Sequence, residues 1–164
     1  MFRSIHRCLL ILIVLVIASV GQQPPKPFVD PSLLSRVNKV SGFDSERVVR
    51  HFYILKNGGA IEVSAKDPND EATVKAVQVY LKKESDLWTK GNFENQTAIY
   101  GRLPEGTPQL KKMRDEVTFE AVREDNGGVL RMFTVNPQAR SAIYDYLRFQ
   151  IDQLKTGDPT SPQD

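Results

Sequence analysis

Few residues in this chain have the type and spacing that chemistry requires. A histidine titrates near neutral pH and serves as a general base where a nucleophile or carboxylate partners it. The 164 residues hold two histidines, His6 and His51. His51 lies in an apolar-alternating stretch with no nucleophile or second ligand at motif spacing, so it reads as structural. Lys66-Asp67-Pro68-Asn69-Asp70-Glu71 starts like a calcium loop, with side-chain oxygens at Asp67, Asn69 and Glu71. Ala72 then stands where the turn needs glycine, and Gln78 where a bidentate glutamate closes the site. These acidic residues suit the start of a helix instead. Gly58-Gly59 and Gly127-Gly128 precede no helix directly and complete no nucleotide fingerprint, so they read as hairpin turns. Asn95-Gln96-Thr97 is a glycosylation sequon, which acts only in a eukaryotic secretory route. No pair of carboxylates is fixed by a motif. The residues thus specify no catalytic group, metal site or cofactor.

The elements that position these residues follow from periodicity. Phe52, Ile54, Ile61 and Val63 alternate with polar residues, as do Val117, Phe119, Ala121, Leu130 and Met132. That is the pattern of half-buried strands. Asn57-Gly58 and Asn126-Gly127 sit between the paired runs, where residues tolerant of positive φ make tight turns. A helical stripe follows each hairpin: Val74, Val77, Leu81 and Trp88 first, then Ala139, Ile143, Tyr146, Leu147, Gln150, Ile151 and Leu154. Asp30-Pro31, Asp67-Pro68, Thr107-Pro108 and Asn136-Pro137 each read as a helix start. Asn57-Gly58-Gly59 and Asp67-Pro68 recur at the same offset as Asn126-Gly127-Gly128 and Asn136-Pro137. The expected fold is therefore α+β: two ββα repeats, 48–90 and 117–155, forming a four-stranded antiparallel sheet with two helices on one face.

Residues 1–21 read as a signal peptide. Arg3 and Arg7 precede the apolar run Cys8–Val20, and Ser19 and Gly21 suit a cleavage site. The run of about 13 residues is shorter than the roughly 18–20 that span a bilayer, so a membrane role is expected only if the segment is retained as an anchor. Without Arg3 and Arg7 the 22 basic side chains become 20, equal to the 20 acidic ones. That balance offers nothing to nucleic acid. Cys8, the one cysteine, leaves with the signal and takes disulfide and thiol chemistry with it. Export without cysteines fits a bacterial periplasmic or secreted protein. Residues 22–30 read as a proline-rich linker, 31–156 as one domain with a crossover over 91–116, and 157–164 as a disordered tail.

Gly91-Asn92-Phe93, Pro104-Glu105-Gly106, Val117-Thr118-Phe119, Gly127-Gly128, Pro137 and Ala142–Gln150 (AIYDYLRFQ), with His51-Phe52 and Gly58-Gly59, resemble an uncharacterised family of small exported bacterial proteins. The resemblance covers roughly 50–155 and implies an exported α+β domain with no assigned activity. Relatives in that family carry histidines at positions near Arg50, Tyr100, Tyr144 and Gln153, which this chain lacks. Any metal or cofactor site built on them is mostly absent here.

Alternation sends His51, Tyr53, Leu55, Glu62, Val122, Val129, Arg131, Phe133 and Val135 to the face of the sheet away from the helices. Two functions compete. The leading expectation is a non-catalytic exported protein that binds a partner, or forms a homodimer, through this face, with Tyr53, Arg131 and Phe133 as anchors. If the crossover or the 33–40 helix covers the face, that role is lost. The alternative is a small-ligand-binding protein or enzyme, with a pocket between the sheet and segment 92–114 and with Tyr100, Arg102, His51 and Glu62 as its polar groups.

Overall fold

In the computed structural model, residues 28–163 are described, so the signal-like segment, the start of the linker and Asp164 lie outside them. The elements run α1 (Pro31–Ser41), β1 (Val48–Leu55), β2 (Gly58–Ala65), α2 (Glu71–Thr89), α3 (Glu94–Tyr100), α4 (Thr107–Lys112), β3 (Thr118–Glu124), β4 (Gly127–Phe133) and α5 (Pro137–Leu154). Short 3₁₀ turns precede β1 and β3. The strands form one antiparallel sheet in the order β1-β2-β4-β3. The fold is α+β, and its two strand–strand–helix units are compatible with the repeat read from the sequence.

Each long helix crosses to the other unit's hairpin. α2 packs on β3 and β4, and α5 packs on β1 and β2. The inward residues are those that alternation selects: Phe52, Ile54, Ile61, Val63, Phe119, Leu130 and Met132 are all buried. They meet Val77, Leu81 and Trp88 of α2 and Ile143, Tyr146 and Leu147 of α5. α1 packs against α3 and α2, and α4 against α5, so both crossover helices lie on the helical side. Neither covers the second face of the sheet, where Tyr53 stays 37% exposed.

Helix starts differ in detail from the Pro-based reading. Asp30 and Asn136 cap α1 and α5 through their side chains. α2 begins later than Asp67-Pro68 predicts. Asp70 is its N-cap, accepting from the Thr73 N–H at 3.2 Å, while Asp67 closes a local turn on the Asn69 N–H. α2 ends with the Asn92 N–H on the Leu87 carbonyl and Gly91 at φ 71, the left-handed close of a helix. Helix α3 is absent from the sequence reading, since seven residues are too few for a periodic stripe.

The tail also departs from expectation. Polar, proline-containing composition reads as disorder over 157–164, whereas residues 157–163 run along the free edge of β1. The Phe52 N–H donates to Asp158 Oδ2 at 2.9 Å, and the Gln163 N–H to the Ile54 carbonyl at 2.8 Å. His51 Nδ1 lies 2.8 Å from Asp158 Oδ1. An edge strand presents unpaired backbone groups, and these contacts occupy them.

The paired glycines serve a different purpose from the one their turn position suggests. The hairpin loops are Lys56-Asn57 and Asp125-Asn126, with negative φ, and the glycines open β2 and β4. There they meet the other unit's strand. A Cβ on Gly58 (φ 147) would sit 1.9 Å from the Met132 carbonyl oxygen, and one on Gly127 2.1 Å from that of Val63. Both obstacles are backbone, so neither can move aside without breaking the central β2–β4 pairing. Gly58→Ala is therefore expected to cost at least about 2 kcal/mol in urea denaturation, by steric overlap and a φ that alanine resists. A loss below about 0.5 kcal/mol would show that the close approach does not govern pairing.

Candidate functional site

Strand alternation gives adjacent residues opposite fates. Arg50, Phe52 and Ile54 share the helical side of β1, while His51 and Tyr53 share the open side. Phe52, Ile61 and Leu130 stand in register across β1, β2 and β4 and form an apolar floor. Above it lies a cavity bounded by α2, α5 and the crossover helix α3. About 30 Å³ within it is open to the centre of a water molecule, and one buried water needs roughly 10–15 Å³ by that measure.

The walls carry a chain of hydrogen bonds that runs in one direction. Tyr100 O–H donates to Gln150 Oε1 at 2.6 Å. Gln150 Nε2 donates to Gln96 Oε1 at 3.3 Å, which also accepts from Tyr146 O–H at 3.0 Å. Gln96 Nε2 donates to Glu84 Oε2 at 3.1 Å. Glu84 further accepts from Trp88 Nε1 at 3.0 Å and from the Asn95 amide. The carboxylate is the common sink. It is 1% exposed and has no ion-pair partner among the described residues. Burial raises its pKa above the ordinary value, and the Asn95, Gln96 and Trp88 donors oppose that rise without cancelling it. The tyrosines stay neutral. Burial pushes Tyr100 up to about 12 and Tyr146 well above its usual value. Tyr80 rises too, through burial of its hydroxyl and the nearby charge of Glu84.

Arg50 has no place in this network. It lines the cavity, and its charge is felt at Tyr80, Tyr100 and Tyr146. Yet it makes no hydrogen bond or ion pair with a described residue, because the acceptors around it are already engaged. Glu84, Gln96 and Gln150 each receive a donor from their neighbours. A guanidinium brings five N–H donors, so the cavity has donors in excess. An arrangement of this kind can hold an acceptor; it has no nucleophile aligned with a base.

The residues nominated from sequence fall on two sides of the sheet. Tyr100 belongs to the cavity. His51 and Glu62 do not, since both face the opposite way, and Arg102 sits outside at the surface, stacked 4.9 Å over the Phe149 ring. The pocket beside the crossover therefore exists, but with other polar groups than those four together. On the open face Tyr53 O–H donates to Glu62 Oε2 at 2.6 Å, a bond that raises the Tyr53 pKa to about 12. His51 and Tyr53 rings lie 6.3 Å apart, and Arg131 and Phe133 occupy β4 on the same face. Arg50 and Tyr100 meet at the cavity. Tyr144 instead donates to the Leu55 carbonyl at 2.7 Å, and Gln153 to Asp152 at 3.2 Å. The sequon residue Asn95 is half-buried and spends its amide on Glu84.

Glu84 and Arg50 escaped the sequence reading, and both left a signal. Glu84 falls on the Val77–Leu81–Trp88 stripe, three residues after Leu81 and four before Trp88. Arg50 shares strand parity with Phe52 and Ile54. A charged residue in an apolar register marks a buried polar site. The chain matches no family model, no curated protein and no solved structure.

Removing the Glu84 oxygens strands three donors, so Glu84→Leu is expected to lose about 2–4 kcal/mol of stability, whereas Glu84→Gln, which keeps an acceptor, should stay within about 1 kcal/mol at pH 7. The pH dependence has a definite sign. A carboxyl whose folded pKa is raised stabilises fully below its unfolded pKa, and that contribution is lost as pH rises through the folded pKa. The wild type should thus gain on Glu84→Gln between pH 7 and pH 5 in parallel urea titrations; a gap that widens the other way would reverse the assignment.

Proposed function

We propose that this domain is a non-catalytic, small-ligand-binding protein whose site is the cavity between the sheet and the crossover. One observation carries the reading: an arginine on an apolar floor, among satisfied neighbours, with no acceptor of its own. Arg50 is half-buried, and a guanidinium held partly out of water with no protein acceptor favours a ligand that supplies one. By its signal-like N-terminus the protein acts in the periplasm or outside the cell, where binding modules for small solutes operate.

A second reading rests on the open face. No helix among the described residues covers it, and Val49 and Tyr53 are 38% and 37% exposed there. A partner protein or second copy would bury Tyr53, Arg131 and Phe133. Tyr53→Ser with Phe133→Ser should then abolish association in analytical ultracentrifugation while leaving the circular dichroism spectrum intact. Association that survives both changes removes the face from consideration.

The ligand reading is tested by a panel of metabolites and ions, followed through thermal melting and through emission of Trp88, the one tryptophan, which lines the cavity. A ligand at 100 times its Kd adds about 2.7 kcal/mol, on the order of 10 °C for a domain of this size. At least one compound should raise the melting temperature and shift Trp88 emission with the same saturation curve. Flat responses across anions, cations and neutral solutes in both signals would refute the reading.

A further inference from the structure

The donor excess in the cavity also specifies a ligand class. We propose that the cavity takes a small monocarboxylate, its two oxygens held by the Arg50 guanidinium and its short carbon chain laid against Phe52, Ile61 and Leu130. This rests on the reading of the cavity as a ligand site.

Charge excludes the alternatives first. Arg50 repels a metal ion or an amine. Arg50 is the one cation on the walls and makes no ion pair with the Glu84 carboxyl, whose charge also reaches Tyr80 and Tyr146, so a monoanion would pair with the guanidinium one to one while a dianion would meet the Glu84 charge as well. Glu84 is the one acid on the walls, and both its oxygens turn away into the Trp88, Asn95 and Gln96 donors. Geometry comes next. A planar guanidinium fork matches a planar carboxylate through two parallel N–H···O bonds, whereas a tetrahedral oxyanion needs further donors around its other oxygens. Beside the fork, the Tyr80 hydroxyl lies next to the Gln96 amide and donates to no described residue, which leaves its O–H for a carboxylate oxygen. Size and polarity complete the case. The open space of about 30 Å³ admits a few heavy atoms, and its apolar floor suits an alkyl group, which chloride and nitrate lack. Arg50, Tyr80 and Tyr100 are all half-buried, whereas Glu84, Trp88 and Tyr146 are buried, so the Arg50 end of the cavity lies nearer the surface.

The experiment titrates the purified full chain with sodium formate, acetate and propionate against sodium chloride, sodium phosphate, methylammonium chloride and acetamide, all at constant ionic strength. Trp88 emission and melting temperature are recorded together. The carboxylates should saturate both signals, with propionate tighter than formate through its added apolar contact. Arg50→Met, similar in length and apolar, should weaken carboxylate binding at least about tenfold while melting cooperatively at or above the wild-type temperature. Arg50→Lys keeps the charge without the fork and should fall between the two, and Tyr80→Phe should weaken binding a few-fold. Equal responses to chloride or phosphate, or wild-type affinity in Arg50→Met, overturn the proposal. If acetamide or methylammonium saturates and carboxylates do not, the ligand class is wrong and the cavity remains a binding site. If no probe moves either signal, the site reading falls as well.

Discussion

The pairing of β2 with β4 is the contact on which the remaining architecture depends. Each hairpin alone has one apolar face and nothing to bury it against. Joined at β2–β4, the two hairpins make a four-strand floor, and each unit's helix closes over the other unit's strands. Neither unit can then keep its core without its partner. The pairing is made possible by what Gly58 and Gly127 lack. Both stand where a side chain would strike the facing carbonyl, so the seam between the units requires glycine at either end. The same register aligns Phe52, Ile61 and Leu130 as one apolar row beneath the cavity.

A small core holds so many polar groups because they satisfy one another in sequence. Tyr100, Gln150, Gln96 and Glu84 hand donors along a line, and the line ends on the one group that only accepts. In a low-dielectric interior such a chain is stable when complete and costly when broken. It also fixes α3, whose seven residues could not hold a helix alone. Asn95 and Gln96 fasten it to Glu84, and Tyr100 fastens its end to α5. The crossover is thus positioned both by hydrogen bonds to buried partners and by the buried Phe93, Ile99 and Leu110.

That arrangement explains how far the fold was legible in the sequence. Alternation and helical stripes depend on neighbours along the chain, so Phe52, Ile54, Leu130, Met132, Val77 and Ile143 declared their faces before any contact was known. The order of the elements and the sheet class followed. α3 was invisible because its seven residues are too few for a stripe and its anchors, Glu84, Gln150 and the α1 residues Leu33 and Val37 around Ile99, lie at sequence distances no periodicity reports. The tail misled for the same reason. Gly157–Gln163 is polar and proline-rich, yet Asp158 supplies acceptors that the β1 edge needs, and composition does not see the edge. The cavity was half legible. Tyr100 and the crossover were named, but His51 and Glu62 were placed beside them by chemical type, and strand parity sets these on the other side of the sheet.

Parity also ties the two faces together at one tripeptide. Arg50 points into the cavity, His51 points outward to Asp158, and Phe52 lies in the cavity floor while its backbone N–H holds the other oxygen of Asp158. The strand carrying the unpaired cation is an edge strand, paired on one side with β2 alone. An edge strand is free to twist or slip unless its outer groups are occupied, and a slip of one residue would exchange Arg50 for His51 in the cavity. The tail opposes that slip, because Asp158 engages a side chain from one face and a backbone group from the next residue, a combination that only one register offers. The segment whose composition suggests disorder therefore helps to keep Arg50 on the cavity side of the sheet.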